Sequence, residues 1–68
     1  MATLDEVRLA VNKVLESAGV VELHGVRSEP NRDYFVVYFS NPNIGDIRVP
    51  RSMKRVEIAP LIATALHL

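Results

Sequence analysis

Eight consecutive residues, Asp33–Ser40 (DYFVVYFS), hold all four aromatic residues of the chain and are apolar on both faces if extended. Side chains alternate along a strand, so Phe35, Val37 and Phe39 point one way and Tyr34, Val36 and Tyr38 the other. The chain has 68 residues with two candidate helices, enough to cover one face of a small sheet and hardly both. The second face, Tyr34/Val36/Tyr38, is expected to meet solvent, a copy of the chain, or a different partner. That constraint points to a binding protein before an enzyme.

Such a length implies one domain, residues 1–68, near the lower limit for a self-sufficient core. A domain this small buries only roughly 60% of the surface its unfolded chain exposes. Cysteine is absent, which excludes disulfides, zinc–thiolate sites and thiol chemistry. Without such staples the fold relies on packing or on oligomerisation, and a homodimer is one expectation. No apolar run approaches a membrane span, and the opening MATLDEV is acidic, unlike a signal peptide. The expectation is a cytoplasmic protein without cofactor or metal, of intracellular or mobile-element source.

Net charge is zero, but its distribution is uneven. Residues 1–47 carry four basic and seven acidic groups, whereas residues 48–68 carry Arg48, Arg51, Lys54 and Arg55 against Glu57 alone. The chain is therefore −3 before residue 48 and +3 after it, with every cation of the second part inside Arg48–Arg55.

Thr3-Leu4-Asp5-Glu6 reads as a capping box, with the Thr3 hydroxyl accepting from the Glu6 amide while Glu6 reaches back. Leu4, Val7, Val11, Val14, Leu15 and Ala18 then recur at helical spacing, and Gly19 supplies a stop, predicting a helix over Leu4–Ala18. Val20–Arg27 is rich in β-branched residues and predicts a first strand, in which Gly25 marks a bulge or a close approach. Turns are expected at Ser28–Arg32 and Asn41–Gly45, flanking strands Asp33–Ser40 and Asp46–Val49 in an antiparallel meander. Ile58, Leu61, Ile62, Ala65 and Leu66 form a final apolar stripe interrupted by Pro60. Either a helix begins near Ser52 and kinks at Pro60, or Pro60 is its first residue; the second is preferred, with Met53–Ile58 a turn or extended connection.

Val21–Val26, the turn at Glu29-Pro30, the strand Tyr34–Phe39 and the basic stretch Arg51-Ser52-Met53-Lys54-Arg55 follow one another in an α-β-β-β-α order. In that order and spacing the chain resembles the double-stranded-RNA-binding domain. Met53 and Glu57 stand in two of the lysine places of that family's basic cluster, and Pro60 falls inside its long second helix. HicA-type messenger-RNA interferase toxins use the same fold, and Ile47-Arg48-Val49-Pro50-Arg51 looks like their third strand and its exit. Their second strand opens with a Gly-Ser-His-His-like motif supplying the catalytic histidine. Here Asp33-Tyr34-Phe35-Val36 takes that place, and His24 lies in the first strand instead. These resemblances imply an α+β fold of two layers with a three-stranded antiparallel sheet, and RNA contact through the basic cluster.

His24 and His67 are the two side chains able to exchange protons near neutrality, and neither has a metal-spaced partner. His24 is a candidate general base only if a positioned partner such as Tyr34 or Tyr38 lies near; otherwise it is a strand histidine. Asp5 and Glu6 are explained by helix capping and the helix dipole. Two binding sites remain. Tyr34, Val36 and Tyr38 are plain core if the chain's own C-terminal segment covers them, a homodimer interface if a second copy does, and otherwise a docking surface, because tyrosine buries a large rigid body and keeps a polar tip wet; tyrosines at i and i+4 also suit stacking on unpaired bases. Arg48, Arg51, Lys54 and Arg55 suit phosphates. The expected function is a small non-enzymatic regulatory or inhibitor-type protein of phages or mobile elements, acting by protein contact through the sheet face. RNA binding is the alternative, and a HicA-like ribonuclease the third reading.

Overall fold

The computed structural model describes residues 2–68. Its elements are α1 (Leu4–Ala18), β1 (His24–Ser28), β2 (Tyr34–Phe39), β3 (Ile47–Pro50) and α2 (Arg55–Ala65). The strands form one antiparallel sheet in the order β1-β2-β3. Val7, Val11 and Leu15 of α1 and Ile58 and Ile62 of α2 share a single core cluster with Val26, Phe35, Val37, Ile47 and Val49. Both helices thus lie on the Phe35/Val37 face, giving the expected α+β arrangement of two layers.

Helix α1 starts and stops where local chemistry dictates. The Thr3 hydroxyl accepts from the Glu6 amide at 3.2 Å and donates to Glu6 Oε1 at 3.1 Å. Glu6 therefore returns to the hydroxyl of Thr3, where the capping box leads one to expect its amide. At the other end Gly19 sits at φ 69°, and the amides of Gly19 and Val20 bond the carbonyls of Glu16 and Leu15. That left-handed closure turns the chain back toward the sheet.

Strand β1 begins at His24, four residues later than Val20. Its partner explains the difference. Strand β2 ends at Phe39, which pairs with His24, and Asn41-Pro42 then turns away, leaving no ladder for Val20–Glu22. At the open end of the hairpin the Ser40 amide and hydroxyl both donate to the Leu23 carbonyl, at 3.0 and 3.3 Å. Val21 and Leu23 are left 97% and 79% exposed. Gly25 pairs regularly with Tyr38, so it marks a close approach and no bulge. Strand β3 is displaced by one residue from Asp46–Val49, ending on Pro50, whose missing amide proton is tolerated at a sheet edge.

The preferred reading of the C-terminal segment is corrected. Helix α2 starts at Arg55, with Lys54 as N-cap, and carries Pro60 inside it. Burial decides the matter. Ile58 and Ile62 are both fully buried and lie one helical turn apart, so Ile58 reaches the core only if the helix is already formed before Pro60. Proline there removes the bond to the carbonyl four residues back, that of Val56. Val56 is 78% exposed, so water can satisfy the freed group.

Two substitutions follow from this packing. Ile58→Ala should lower stability by about 2–5 kcal/mol in urea unfolding. Pro60→Ala should raise it by about 1–3 kcal/mol, since the helix regains a hydrogen bond and loses a clash. A neutral or destabilising Pro60→Ala would show that the ring is needed for contact with α1.

Candidate docking face of the sheet

Register builds the outer face. Alternation turns Gly25 and Arg27 of β1, Tyr34, Val36 and Tyr38 of β2, and Arg48 and Pro50 of β3 away from the helices. They pair across the sheet as Gly25 with Tyr38, Arg27 and Arg48 on either side of Val36, and Pro50 with Tyr34. No helix lies over them, yet Val36 is only 4% exposed and stands outside the core cluster. The stems of Arg27 and Arg48 flank it, as long charged side chains do when they lie along an apolar surface.

Each guanidinium then leans over the diagonal tyrosine. Arg27 lies 5.4 Å from the Tyr38 ring centroid and Arg48 lies 5.2 Å from that of Tyr34. Two arginine–tyrosine stacks thus flank Val36, one on each side and at opposite ends, each worth about 0.5–1 kcal/mol at an exposed site. Tyr38 also lies directly over Gly25, where a β-carbon would collide with its ring and hydroxyl. The glycine makes room for the ring, and the ring covers the backbone that the glycine leaves bare. Tyr34 is partly buried and Tyr38 is 40% exposed, so both present an edge to solvent.

The two arginines differ electrostatically. Arg27 Nε donates to Glu29 Oε1 at 2.7 Å, and its Nη2 lies 4.0 Å from Asp46 Oδ2. The hydrogen bond to Glu29 holds the Arg27 guanidinium above the ordinary arginine pKa. Among the described residues the ion pairs both belong to Arg27. Arg48 stacks on Tyr34 with no carboxylate partner there. A shallow recess lined by Arg27, Glu29, Tyr34, Val36, Asp46 and Arg48 opens between them. Two cations against two carboxylates leave this surface near neutral. Arg27 was not singled out from sequence, although its place opposite Val36 follows once the hairpin register is fixed.

The four basic residues of Arg48–Arg55 do not form one surface. Arg48 belongs to the outer sheet face. Arg51 works as a clamp on the β1–β2 turn: Nε donates to the Arg32 carbonyl at 3.0 Å, and Nη2 to Ser28 Oγ at 2.6 Å and the Glu29 carbonyl at 3.1 Å. Its guanidinium also sits 4.3 Å from the centroid of Phe35, and its amide bonds the Asp33 carbonyl at 2.7 Å. Lys54 and Arg55 stay exposed at the start of α2.

His24 is likewise engaged within the fold. Nδ1 lies 3.1 Å from the Glu22 carbonyl and Nε2 lies 3.0 Å from Asn12 Oδ1, tying β1 to α1; a neutral ring donates to only one of these oxygens, and a half-turn of the Asn12 amide lets its NH2 donate to the other nitrogen. Tyr38 approaches the recess beside it, which Arg8, Asn12 and Val26 complete. Among the described residues no group of three or more histidines and carboxylates gathers in a metal-binding arrangement, and no helix is long and apolar enough to cross a membrane.

Gly25→Ala should cost about 0.5–1.5 kcal/mol, the scale of a displaced rotamer, and far less in a Tyr38→Ala background. Equal costs in both backgrounds, read by urea unfolding, would refute the contact. Arg51→Ala should cost about 1–3 kcal/mol, with Arg51→Lys failing to restore it, because lysine cannot reproduce the fork. Lys54→Ala and Arg55→Ala should stay within about 0.5 kcal/mol of wild type.

No protein-family model, curated protein or solved structure matches this chain.

Proposed function

We propose that the protein is a small non-enzymatic docking module that holds another protein on the outer face of its sheet. The observation carrying this reading is the preformed Tyr34–Arg48 and Tyr38–Arg27 pair of stacks around Val36 on a face that neither helix covers. Tyrosine and arginine are the side chains that anchor protein interfaces most often. Here they are already held by packing, so little rotamer freedom is lost on binding. Arg48, stacked but without a carboxylate, suits an acidic side chain of the partner beside an apolar group seated on Val36. The near-neutral charge of the face favours a protein over a polyanion. Regulation or inhibition of the bound protein is the mode of action such a contact allows.

RNA contact, the second reading, rests on Lys54 and Arg55, exposed together at the start of α2 in a fold ordered like the double-stranded-RNA-binding domain. Two cations on a chain of zero net charge give weak attraction to a phosphate backbone.

Photo-crosslinking in cells separates the two. With a photoreactive phenylalanine analogue in place of Tyr38, a discrete protein adduct is expected, weakened by Arg48→Glu and absent when the analogue replaces Asn43, exposed in the β2–β3 loop. Adducts to RNA alone, or equal adducts at both positions, would contradict the sheet-face reading.

A further inference from the structure

The helix layer carries a second apolar surface, separate from the sheet face. A valley runs between α1 and α2 on the side turned away from the sheet. At one end it is lined by Glu6, Leu9, Ala10 and Lys13 of α1 with Arg55, Val56 and Ala59 of α2. It continues past Lys13, Val14 and Ala18 against Ala59, Pro60 and Ala63, closing on Leu68. Leu9 and Val56 are 61% and 78% exposed although both are large and apolar. Small residues on the floor leave a neighbouring helix room to approach.

The order of residues along the α1 rim matters more than its hydrophobicity. Glu6, Leu9, Ala10 and Lys13 lie at i, i+3, i+4 and i+7, one stripe of the helix. A half-turn about the point between Leu9 and Ala10 maps this stripe onto itself, with Glu6 falling on Lys13 and Leu9 on Ala10. Charge is matched to opposite charge, and large to small. We infer that a second copy of this chain docks in the α1–α2 groove, its α1 antiparallel to α1, with Glu6 paired to the copy's Lys13 and Leu9 seated over the copy's Ala10. This is the isologous contact of a two-fold dimer, in which one surface patch complements itself.

Leu9 and Val56 on the two rims and Leu68 at the closed end give the copy exposed apolar groups to bury. Buried area of this kind does not fix an affinity, so association is read as a function of concentration. The two Glu6–Lys13 pairs lie at a solvated rim and set register more than affinity. Lys13 is available for this role, since the ion pairs among the described residues are those of Arg27. The sheet face remains open in such a dimer, so each copy keeps its own docking surface.

Sedimentation velocity of the full chain from about 5 μM to about 1 mM, the range of weak to moderate self-association, tests the inference. Wild type is expected to pass from monomer to dimer. Leu9→Arg, an exposed position whose loss leaves the core intact, should weaken association at least tenfold. Lys13→Glu and Glu6→Lys should each weaken it several-fold, and the two together should restore it. Glu6→Lys removes the Thr3 hydroxyl to Glu6 Oε1 bond but leaves the Glu6 amide to Thr3 hydroxyl bond in place, and circular dichroism verifies each fold. A monomer throughout, a dimer indifferent to Leu9→Arg, or a double reversal that fails to restore association overturns the inference. A dimer lost on Tyr38→Ala alone also overturns it, placing the second copy on the sheet.

Discussion

Strand β2 is apolar on both faces, and the chain has helices for only one of them. The rest of the structure follows from this imbalance. Phe35 and Val37 take the helix side, where Ile58 and Ile62 must meet Val7, Val11 and Leu15 in a single core. That demand is strong enough to carry helix α2 through Pro60. On the other side no such layer exists, and Val36 is covered instead by the stems of two arginines.

Covering a sheet with side chains of its own gives a surface different from a bare apolar patch. Arg27 and Arg48 shield Val36 from water while their charged ends rest on tyrosine rings. The arrangement keeps a small domain from presenting an unprotected apolar strand. It also holds Tyr34, Tyr38 and Arg48 in fixed geometry, which under the proposed docking role would lower the entropy lost on binding. Solubility alone and partner binding thus draw on the same contacts. What separates them is Arg48, stacked but lacking the carboxylate that Arg27 has.

Much of the fold was legible in the residues because several local signals agreed. Thr3, Glu6 and Gly19 mark both ends of α1, and the alternation in DYFVVYFS divides core from outer face without ambiguity. The misplaced boundaries have non-local causes. Val20–Glu22 has strand composition but no partner strand, since β2 ends at Phe39. Pro60 is a good first helical residue by local rules, and only the burial of Ile58 four residues before Ile62 overrides them. The site was half legible. Tyr34, Val36 and Tyr38 follow from period two, whereas the role of Arg27 depends on register. The compact run Arg48–Arg55 looks like one patch in sequence. A strand end, a tight turn and a helix start send its side chains to three different places, with Arg51 consumed by the turn.

Solution NMR of the dilute protein tests most directly whether the outer sheet face is open to solvent and preformed. Ring currents from Tyr38 and Tyr34 should shift the side-chain methylene protons of Arg27 and Arg48 upfield, with cross-relaxation linking each pair. A soluble paramagnetic agent should at the same time broaden the exposed Tyr38 ring protons. Unshifted arginine protons together with a Tyr38 ring shielded from the agent would contradict the account, because the face would then be covered by the chain itself.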